Sequence, residues 1–322
     1  MNRVQVMEKL QPLLNVQVRS VTNPEFSRVS ATEDTLILRP SRGYSYPVTK
    51  EGVESLLKFT GVPESLGKHL RLPTLEKVFT ETIQSKSPYQ VITKDGTVVD
   101  IIPGTDRLPI PPERALEVIE HTIPEVDFHR VLELPHYTTA IELVGVEERP
   151  VRQGDLVRAG AEVIFSPLGT VAPRVRAFIL RLACLNGATT TEDFGNFSYG
   201  AGDGGSVWTF LRNSVRKAYG SISPIVERWQ AMAEENVAPE QRAEVLEALI
   251  RQARLPKVAV DAVRALALRE PPESAYAAMN FITYASSHLL TDGREVLRAR
   301  EAAATFASET SHRRVCPVCH RR

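Results

Sequence analysis

No stretch of the 322-residue chain approaches the roughly 18 consecutive apolar residues that a transmembrane helix requires. The first six residues, Met1 to Val6, also lack the apolar segment of a secretory signal. Cysteine is scarce, because three residues are too few for the disulfide framework of a small secreted domain. These absences predict a cytoplasmic protein with no membrane partner.

The chain also has no excess of charge of either sign, since 39 basic residues balance 39 acidic ones. A net charge of zero neither supports nor excludes a nucleic-acid partner, because binding such a partner needs only a local basic surface. Hydrophobic residues make up 43% of the chain, which is enough to bury a sizeable core. At this length we expect two packed lobes rather than one.

Catalytic signatures are missing as well. There is no Gly-x-Ser-x-Gly nucleophile motif, and the seven histidines show no His-x-x-x-His or His-x-His pairing that would suit a metal. An enzyme would need a cleft that gathers dispersed groups such as His136, Glu142 and Asp203, and the sequence gives no sign of their proximity. The residues therefore favour a protein that is not an enzyme.

The C-terminal end carries the one pattern with metal-ligand chemistry. The run Cys316-Pro317-Val318-Cys319-His320 offers two thiolates at a spacing that zinc accepts, and His312 is the nearest further ligand. Adjacent Cys319 and His320 are awkward partners on one ion, so a ligand-free flexible end is the simpler interpretation. We expect no cofactor, with zinc at this tail as the alternative.

The order of the elements predicts an α+β fold, with a mixed or antiparallel sheet in the N-terminal and central parts and a largely helical C-terminal half. We divide the chain into an N-terminal α+β lobe (1–105), a central block of strands with a basic helix (106–205), a helical C-terminal part (206–308) and a disordered basic tail (309–322). The proline-dense segment from Pro103 to Pro112 connects the first two parts.

Local signals place the individual elements. Tyr89 to Ile102 reads as a hairpin that turns at Asp95-Gly96, a pair suited to a type I′ turn. Thr49 is the predicted N-cap of a helix. The other predicted strands are 35–38, 136–144 and 161–165; the predicted helices are 49–59, 75–84, 174–186 with Gly187 as its C-cap, one from 206, 239–252, 258–268 and 274–290; a flexible glycine-rich loop covers 195–205.

Arginine placement is the one signal of function that comes from the residues themselves. Several arginines cluster before residue 182, and more basic residues follow on the next predicted helix. If they face one groove they bind phosphates, with aromatic rings available to stack on bases; otherwise they form a solvated helix surface. The candidates are Arg174, Arg176, Arg181, Arg212, Arg216 and Lys217 for phosphates, with Arg149, Arg152 and Arg158 nearby, and Trp208, Tyr219 or Tyr199 for stacking.

Three stretches of the sequence form a recognisable set: Gly160 to Gly169 followed by Arg176 to Gly187, then Ser274 to Ala285, and the hairpin from Tyr89 to Ile102. Together they resemble the phage- and plasmid-borne proteins grouped as domain of unknown function 932. The resemblance covers most of residues 30 to 300. It departs at Ser166-Pro167-Leu168, where the family shows a more polar run.

The family places a Cys-x-Asn-Gly sequence at the end of a helix, matched here by Asn186 and Gly187, and an Asn-x-x-Thr pair on a later helix, matched by Asn280 and Thr283. None of these motifs is catalytic by type. Asn280 and Thr283 lie on one helical face, so either both reach one partner or they form an internal pair that packs two helices. The resemblance implies a mobile-element protein that acts around foreign DNA.

Two hypotheses follow. The first is a non-enzymatic protein of a phage or plasmid that binds single-stranded nucleic acid, as a recombination or replication accessory or an annealing factor that works as an oligomer. The second is a structural or regulatory protein that binds a host or phage protein through its helical C-terminal half. A basic groove would favour the first hypothesis, and an exposed apolar patch would favour the second.

Overall fold

A computed structural model describes residues 1–315 except 15, 41–42, 87, 105–109, 124, 136, 184 and 197–205, and describes no side chains for 190–196 and 311–315. The chain forms two compact units. The smaller unit comprises Leu10–Ile110 and Pro167–Thr170, and the larger unit comprises Met1–Lys9, Pro111–Ser166 and Val171 onward. The predicted α+β class is confirmed, with antiparallel sheets in the N-terminal and central parts and helices toward the C-terminus.

Short strands and helices alternate in the first part of the chain, five longer strands follow, and helices make up the described elements after them. The strands are β1 (Val16–Val21), β2 (Arg28–Ala31), β3 (Leu36–Arg39), β4 (Tyr46–Pro47), β5 (Tyr89–Lys94), β6 (Thr97–Pro103), β7 (Asp127–Leu134), β8 (Thr138–Arg152), β9 (Asp155–Phe165), β10 (Arg174–Arg181) and β11 (Asn186–Asn196). The helices are α1 (Arg3–Leu10), α2 (Lys50–Thr60), α3 (Glu64–Gly67), α4 (Leu72–Gln84), α5 (Pro112–Glu120), α6 (Val207–Gly220), α7 (Ile222–Glu234), α8 (Arg242–Ala253), α9 (Lys257–Arg269), α10 (Ala275–Tyr284) and α11 (Gly293–Val315). In this described part, no helix has the length and apolar character to cross a membrane.

The smaller unit holds two three-stranded sheets, ordered β1-β5-β6 and β2-β3-β4. The predicted hairpin is confirmed as β5 and β6, and its turn residues Asp95 and Gly96 have φ of 50° and 77°, the positive values that a type I′ turn requires. The predicted N-cap of α2 is also confirmed, because the Thr49 hydroxyl accepts a hydrogen bond from Gly52 N at 3.1 Å. Strand β3 and helix α4 lie where the sequence predicts them.

The outer side of β2 is bonded to side chains of α4 rather than to another strand. Three polar side chains, spaced one turn apart along α4, meet its backbone groups. The bonds, each 2.9 Å long, join Glu76 Oε2 to Ala31 N, Thr80 Oγ1 to both Val29 N and Val29 O, and Gln84 Nε2 to Ser27 O. These four backbone groups along β2 are thus satisfied within the unit.

The larger unit is built on one five-stranded antiparallel sheet in the order β11-β10-β9-β8-β7, so strands adjacent in sequence pair with one another. The predicted strand at 161–165 is confirmed within β9, and the one at 136–144 is confirmed from Thr138 onward within β8, residue 136 lying outside the described residues. Helix α6 packs against β9, β10 and β11, and α11 packs against β7 and β11. Every residue from 159 to 165 of β9 and from 175 to 180 of β10 is buried, so the sheet is covered on both faces.

The predicted amphipathic helix from 174 to 186 is wrong. Strand β10 occupies its first eight residues, the chain then turns through Leu185 at a φ of 52°, and Gly187 lies in β11 rather than at a helix C-cap. A strand buried on both faces reads as a continuous apolar run without period-2 alternation. Such a run also contains apolar residues at helical spacing, and periodicity alone does not separate the two structures.

The C-terminal helices mostly lie where the sequence predicts them, as α6, α8, α9 and α10, although the predicted helix at 274–290 ends in a π-helical turn at 285–289. The predicted disordered tail is wrong for 309–315, because α11 continues to Val315 and Thr310 is still buried. Residues 316–322 lie outside the described residues. The predicted loop at 195–205 begins inside β11 and otherwise lies outside them too.

Candidate nucleic-acid interface

The arginines predicted to form a phosphate-binding helix lie on a strand and have internal partners. Arg176 is 5% exposed, and its Nη2 donates to Glu301 Oε1 of α11 at 2.7 Å. Arg181 Nε donates to Asp155 Oδ1 at 2.6 Å. Arg174 is half-buried in the same strand and also has an interaction partner. These three side chains therefore stabilise the larger unit, and their charges do not form an open basic surface.

The neighbouring arginines of the β8–β9 hairpin are paired in the same way. The partners are Glu147 for Arg149, Asp155 for Arg152 and Glu148 for Arg158. Exposed ion pairs of this kind add little stability, but they lower the net charge of the hairpin. The arginines that are clustered in the sequence are thus dispersed among carboxylates in the fold.

Three other arginines gather in an open groove between α5 and α6. Arg212 and Arg216 lie one turn apart on α6, and Arg114 lines the groove from α5. The groove has a volume of about 380 Å³, and its remaining lining residues are Glu117, Val118 and His121. Among the residues that the structure describes, no carboxylate forms an ion pair with any of the three guanidinium groups. We call this feature the α5–α6 groove.

Local sequence explains why these side chains face outward. Helix α5 begins at Pro112, which suits a first helical turn, and it buries Ala115, Leu116 and Ile119 on one side. Its exposed side therefore carries Arg114 and the residues that share its stripe. Helix α6 likewise buries an apolar stripe and leaves its arginines in solvent.

An aromatic ring and a histidine complete the α5–α6 groove. The guanidinium carbon of Arg114 lies 5.4 Å from the ring centroid of Trp208, within cation–π distance. His121 Nδ1 lies 2.7 Å from the Glu117 carbonyl oxygen. Because a carbonyl only accepts, Nδ1 carries the proton and Nε2 remains available as an acceptor in the neutral ring. Sequence reasoning missed Arg114 and His121, since they are about 90 residues away from α6 in the chain.

The remaining candidates on α6 lie elsewhere. Lys217 is exposed but does not line the groove. Tyr219 packs against Gly145 of β8 so closely that a Cβ there would lie 2.6 Å from its ring. Burial raises the pKa of Tyr219, and the nearby Glu147 carboxylate adds to the effect. Its ring is therefore engaged against the sheet, whereas Trp208 lies beside the groove.

A second group of charges is buried between α11 and the sheet. Glu142, Glu162 and Arg176 are directly opposite one another on β8, β9 and β10, so their side chains share one face. Arg300 of α11 has no exposed surface and forms a two-pronged ion pair with Glu142. Its Nη1 also lies 3.7 Å from Glu162 Oε1. We call Glu142, Glu162, Arg176 and Arg300 the buried charge cluster.

Glu162 is the unusual member of this cluster. It is completely buried, and neither carboxylate oxygen has a hydrogen-bond partner among the described residues. Burial raises its pKa to about 7, Arg300 opposes this effect, and Glu142 reinforces it. Arg300 is paired with Glu142, and Arg176 with Glu301 outside the cluster, so a protonated Glu162 adds no unpaired negative charge beside these two ion pairs.

Glu142 was also a candidate for a dispersed catalytic site. It has no exposed surface and is held by Arg300, so a substrate does not reach it in this structure. The other two candidates for that site, His136 and Asp203, lie outside the described residues. The sequence signal that could have found the buried charge cluster is a charged residue inside an apolar run, as at Glu162 in β9 and Arg176 in β10. Arg300 gave no signal, because it stands in an ordinary run of helix-forming residues.

The first pair of family-motif residues connects β11 to the π-helical turn. His288 Nε2 donates to Asn186 Oδ1 at 3.0 Å, and Gly187 N donates to Ser287 Oγ at 3.0 Å. A Cβ at position 187 would lie 2.6 Å from the ring of Phe178, which explains the glycine. These residues have a packing role here.

The second pair lies within α10. Thr283 is buried, and its hydroxyl donates to the Asn280 carbonyl oxygen at 3.1 Å. Burial raises the pKa of the Tyr276 hydroxyl one turn earlier on the same helix. The bond of this pair therefore lies within α10 and joins Thr283 to the Asn280 backbone.

The predicted zinc ligands are not placed by the structure. Cys316, Cys319 and His320 lie outside the described residues, as do Cys184 and Tyr199, and the side chain of His312 is not described. Among the described residues there is no group of three or more histidine, cysteine, aspartate or glutamate side chains that could hold a metal ion.

Comparison with known proteins gives no relative. No protein-family model, curated protein or solved structure matches the chain. The resemblance to domain of unknown function 932 therefore stays a prediction from the sequence.

Proposed function

We propose that the chain binds single-stranded nucleic acid in the α5–α6 groove. The observation that carries this proposal is the convergence of Arg114, Arg212 and Arg216 without an acidic ion-pair partner among the described residues. Guanidinium groups bind phosphate oxygens in a bidentate manner. Trp208, which lies against Arg114, supplies an aromatic surface on which a base can stack.

A single strand suits this geometry better than a duplex. Reading a duplex requires a helix or ribbon that enters its groove. In the α5–α6 groove the arginines lie between two adjacent helices, which is the arrangement of a channel that follows one backbone. In this proposal the protein is not an enzyme. It serves in the host cytoplasm as a recombination or replication accessory or an annealing factor of a phage or plasmid, as the resemblance implies.

The proposal is tested with the double variant Arg212→Ala/Arg216→Ala. Fluorescence anisotropy of a labelled single-stranded oligonucleotide, measured over a series of salt concentrations, gives the slope of log affinity against log salt. Each lost phosphate contact on a single strand lowers that slope by about 0.7, so we expect a decrease of about 1.4 together with weaker binding. The duplex of the same sequence is expected to bind less tightly than the single strand.

A matched control is Arg251→Ala/Arg269→Ala, which removes the same charge from exposed positions on α8 and α9. We expect this control to keep nearly the full slope. Equal losses in the two double variants would show that net charge, and not the α5–α6 groove, governs binding. Failure of the native protein to bind at low salt would reject the proposal.

In that case the second hypothesis, a protein partner of the helical C-terminal part, takes its place. One observation favours it. Val258 and Leu268 of α9 are 82% and 85% exposed, the highest values among the large hydrophobic side chains that the structure describes. The α5–α6 groove remains the preferred site, because its charge indicates a chemical class of ligand and α9 does not.

A further inference from the structure

Two arginines of the smaller unit stand side by side on the exposed face of a sheet. Arg28 of β2 and Arg39 of β3 are direct cross-strand partners. Their neighbours Val29 and Leu38, also partners, are 3% and 0% exposed and point into the core. Because side chains alternate along a strand, Arg28 and Arg39 both point to the solvent face. Directly opposed side chains have Cβ atoms about 5 Å apart.

Like charges at this separation disfavour the folded state. Among the residues described, no carboxylate forms an ion pair with Arg28 or Arg39. The acidic residues of the β2–β3 connection, Glu33 and Asp34, lie in its turn, at the opposite end of the hairpin. The described part of the chain thus keeps two positive charges together without an ion-paired carboxylate.

The backbone holds the pair together. Ser27, which precedes Arg28, is completely buried, and its hydroxyl donates to the carbonyl oxygen of Pro40, which follows Arg39, at 3.1 Å. The same Ser27 oxygen lies 2.6 Å from the buried Tyr89 hydroxyl. This bond closes the hairpin one residue beyond the two arginines. Strands β2 and β3 therefore cannot move apart at this point to reduce the repulsion between the two arginines.

One guanidinium group is also oriented. Arg39 Nε donates to Ser45 Oγ at 3.0 Å, which leaves both terminal nitrogens of Arg39 for other acceptors. The Ser45 hydroxyl, having accepted that bond, still has its own proton to donate. The face therefore presents two guanidinium forks and a hydroxyl, all of them donors, and this set matches the oxygens of a phosphate group.

We propose that this face of the β2–β3–β4 sheet, formed by Arg28, Arg39 and Ser45, binds a phosphate group. The bound dianion or phosphodiester supplies the counter-charge that no described carboxylate provides through an ion pair. This site lies in the smaller unit, has no residue in common with the α5–α6 groove and does not depend on the function proposed for that groove. Its ligand has two possible sources, a small phosphate compound or the backbone of a polynucleotide.

The test compares thermal unfolding of the native protein with that of Arg28→Gln/Arg39→Gln, in low-salt buffer, with inorganic phosphate or with sodium chloride at equal ionic strength. We expect phosphate to raise the Tm of the native protein by about 3 °C more than chloride does. In the double variant this difference is lost, while its Tm without phosphate equals or exceeds the native value because the repulsion is gone. A merely structural pair would instead lose stability on substitution.

Two further variants make the result specific. Arg71→Gln/Lys77→Gln removes two exposed positive charges of the same unit, one at the N-cap of α4 and one within α4, and is expected to keep the phosphate response. Arg212→Ala/Arg216→Ala is also expected to keep it, so failure of the α5–α6 groove and failure of this site are separable. An equal response of the native protein to phosphate and chloride, or an unchanged phosphate response in Arg28→Gln/Arg39→Gln, would overturn the proposal.

The source of the phosphate is then found with the labelled oligonucleotide. A smaller salt slope in Arg28→Gln/Arg39→Gln would identify a polynucleotide backbone as the ligand. Unchanged oligonucleotide binding, together with the phosphate-specific rise in Tm, would identify a small phosphate compound.

Discussion

Arg300→Leu is expected to lower the free energy of unfolding by about 3–5 kcal/mol. The substitution removes the partner of Glu142 and leaves that carboxylate buried without a counter-charge. An uncompensated buried charge is among the few single changes with an effect of this size. Urea unfolding followed by circular dichroism measures it, as a shift of the midpoint at constant slope.

A second variant separates lost charge pairing from lost packing. Glu142→Leu/Arg300→Leu removes both charges and is expected to recover most of the stability, because apolar replacement of a whole buried pair is often neutral or favourable. Arg264→Leu, which breaks an exposed pair with Glu247, is the matched control and is expected to change little. An effect of Arg300→Leu no larger than that of this control would show that loss of Arg300 does not leave Glu142 as an uncompensated buried charge.

In the native protein the titration of Glu162 is expected to make the free energy of unfolding depend on pH, and Glu162→Gln is expected to abolish that dependence. In the unfolded chain this carboxyl loses its proton near pH 4.5, whereas burial keeps the proton on the folded chain until about pH 7. Between these values the folded state binds the extra proton, so the free energy of unfolding falls as the pH rises. The native protein should lose about 3 kcal/mol across this window relative to the variant, which does not titrate there.

The difference between the two proteins, and not the native curve alone, is the quantity to measure, by urea unfolding at several pH values. His129 lies near the cluster, and its pKa is lowered chiefly by burial; its stabilising contribution is lost as the pH falls, in the sense opposite to that of Glu162. Subtracting the Glu162→Gln curve removes this contribution. Parallel curves for the two proteins would mean that Glu162 is ionised in the fold and that its two oxygens have partners not yet identified.

Local chemistry was the predictable part of this fold. The Asp95-Gly96 turn and the Thr49 cap each depend on one or two residues whose backbone preferences hold in any context. Strand β10 was not predictable in this way, because its apolar run reflects burial by helices distant in the sequence. The extent of α11 was missed for the same reason, since its small buried side chains gain their stability from packing.

In the candidate site, too, the sequence predicts single residues but not the contacts that tertiary packing creates. The sequence named Arg212 and Arg216 as candidate phosphate-binding residues, yet it grouped them with Arg176 and Arg181, which the fold pairs with carboxylates. Arg114 was missed because only tertiary packing brings α5 beside α6. Ion pairing and convergence both depend on which surfaces meet, and a count of charges along the chain does not contain that information.

The three side chains of α4 that bond to β2 also bear on how copies of this chain can associate. A strand with open backbone groups is a template on which another polypeptide adds. With Glu76, Thr80 and Gln84 in place, a second molecule does not extend the β2–β3–β4 sheet from that side, and self-assembly must use other surfaces. A fragment cut before α4 would lose this protection, and its short strands would be free to polymerise.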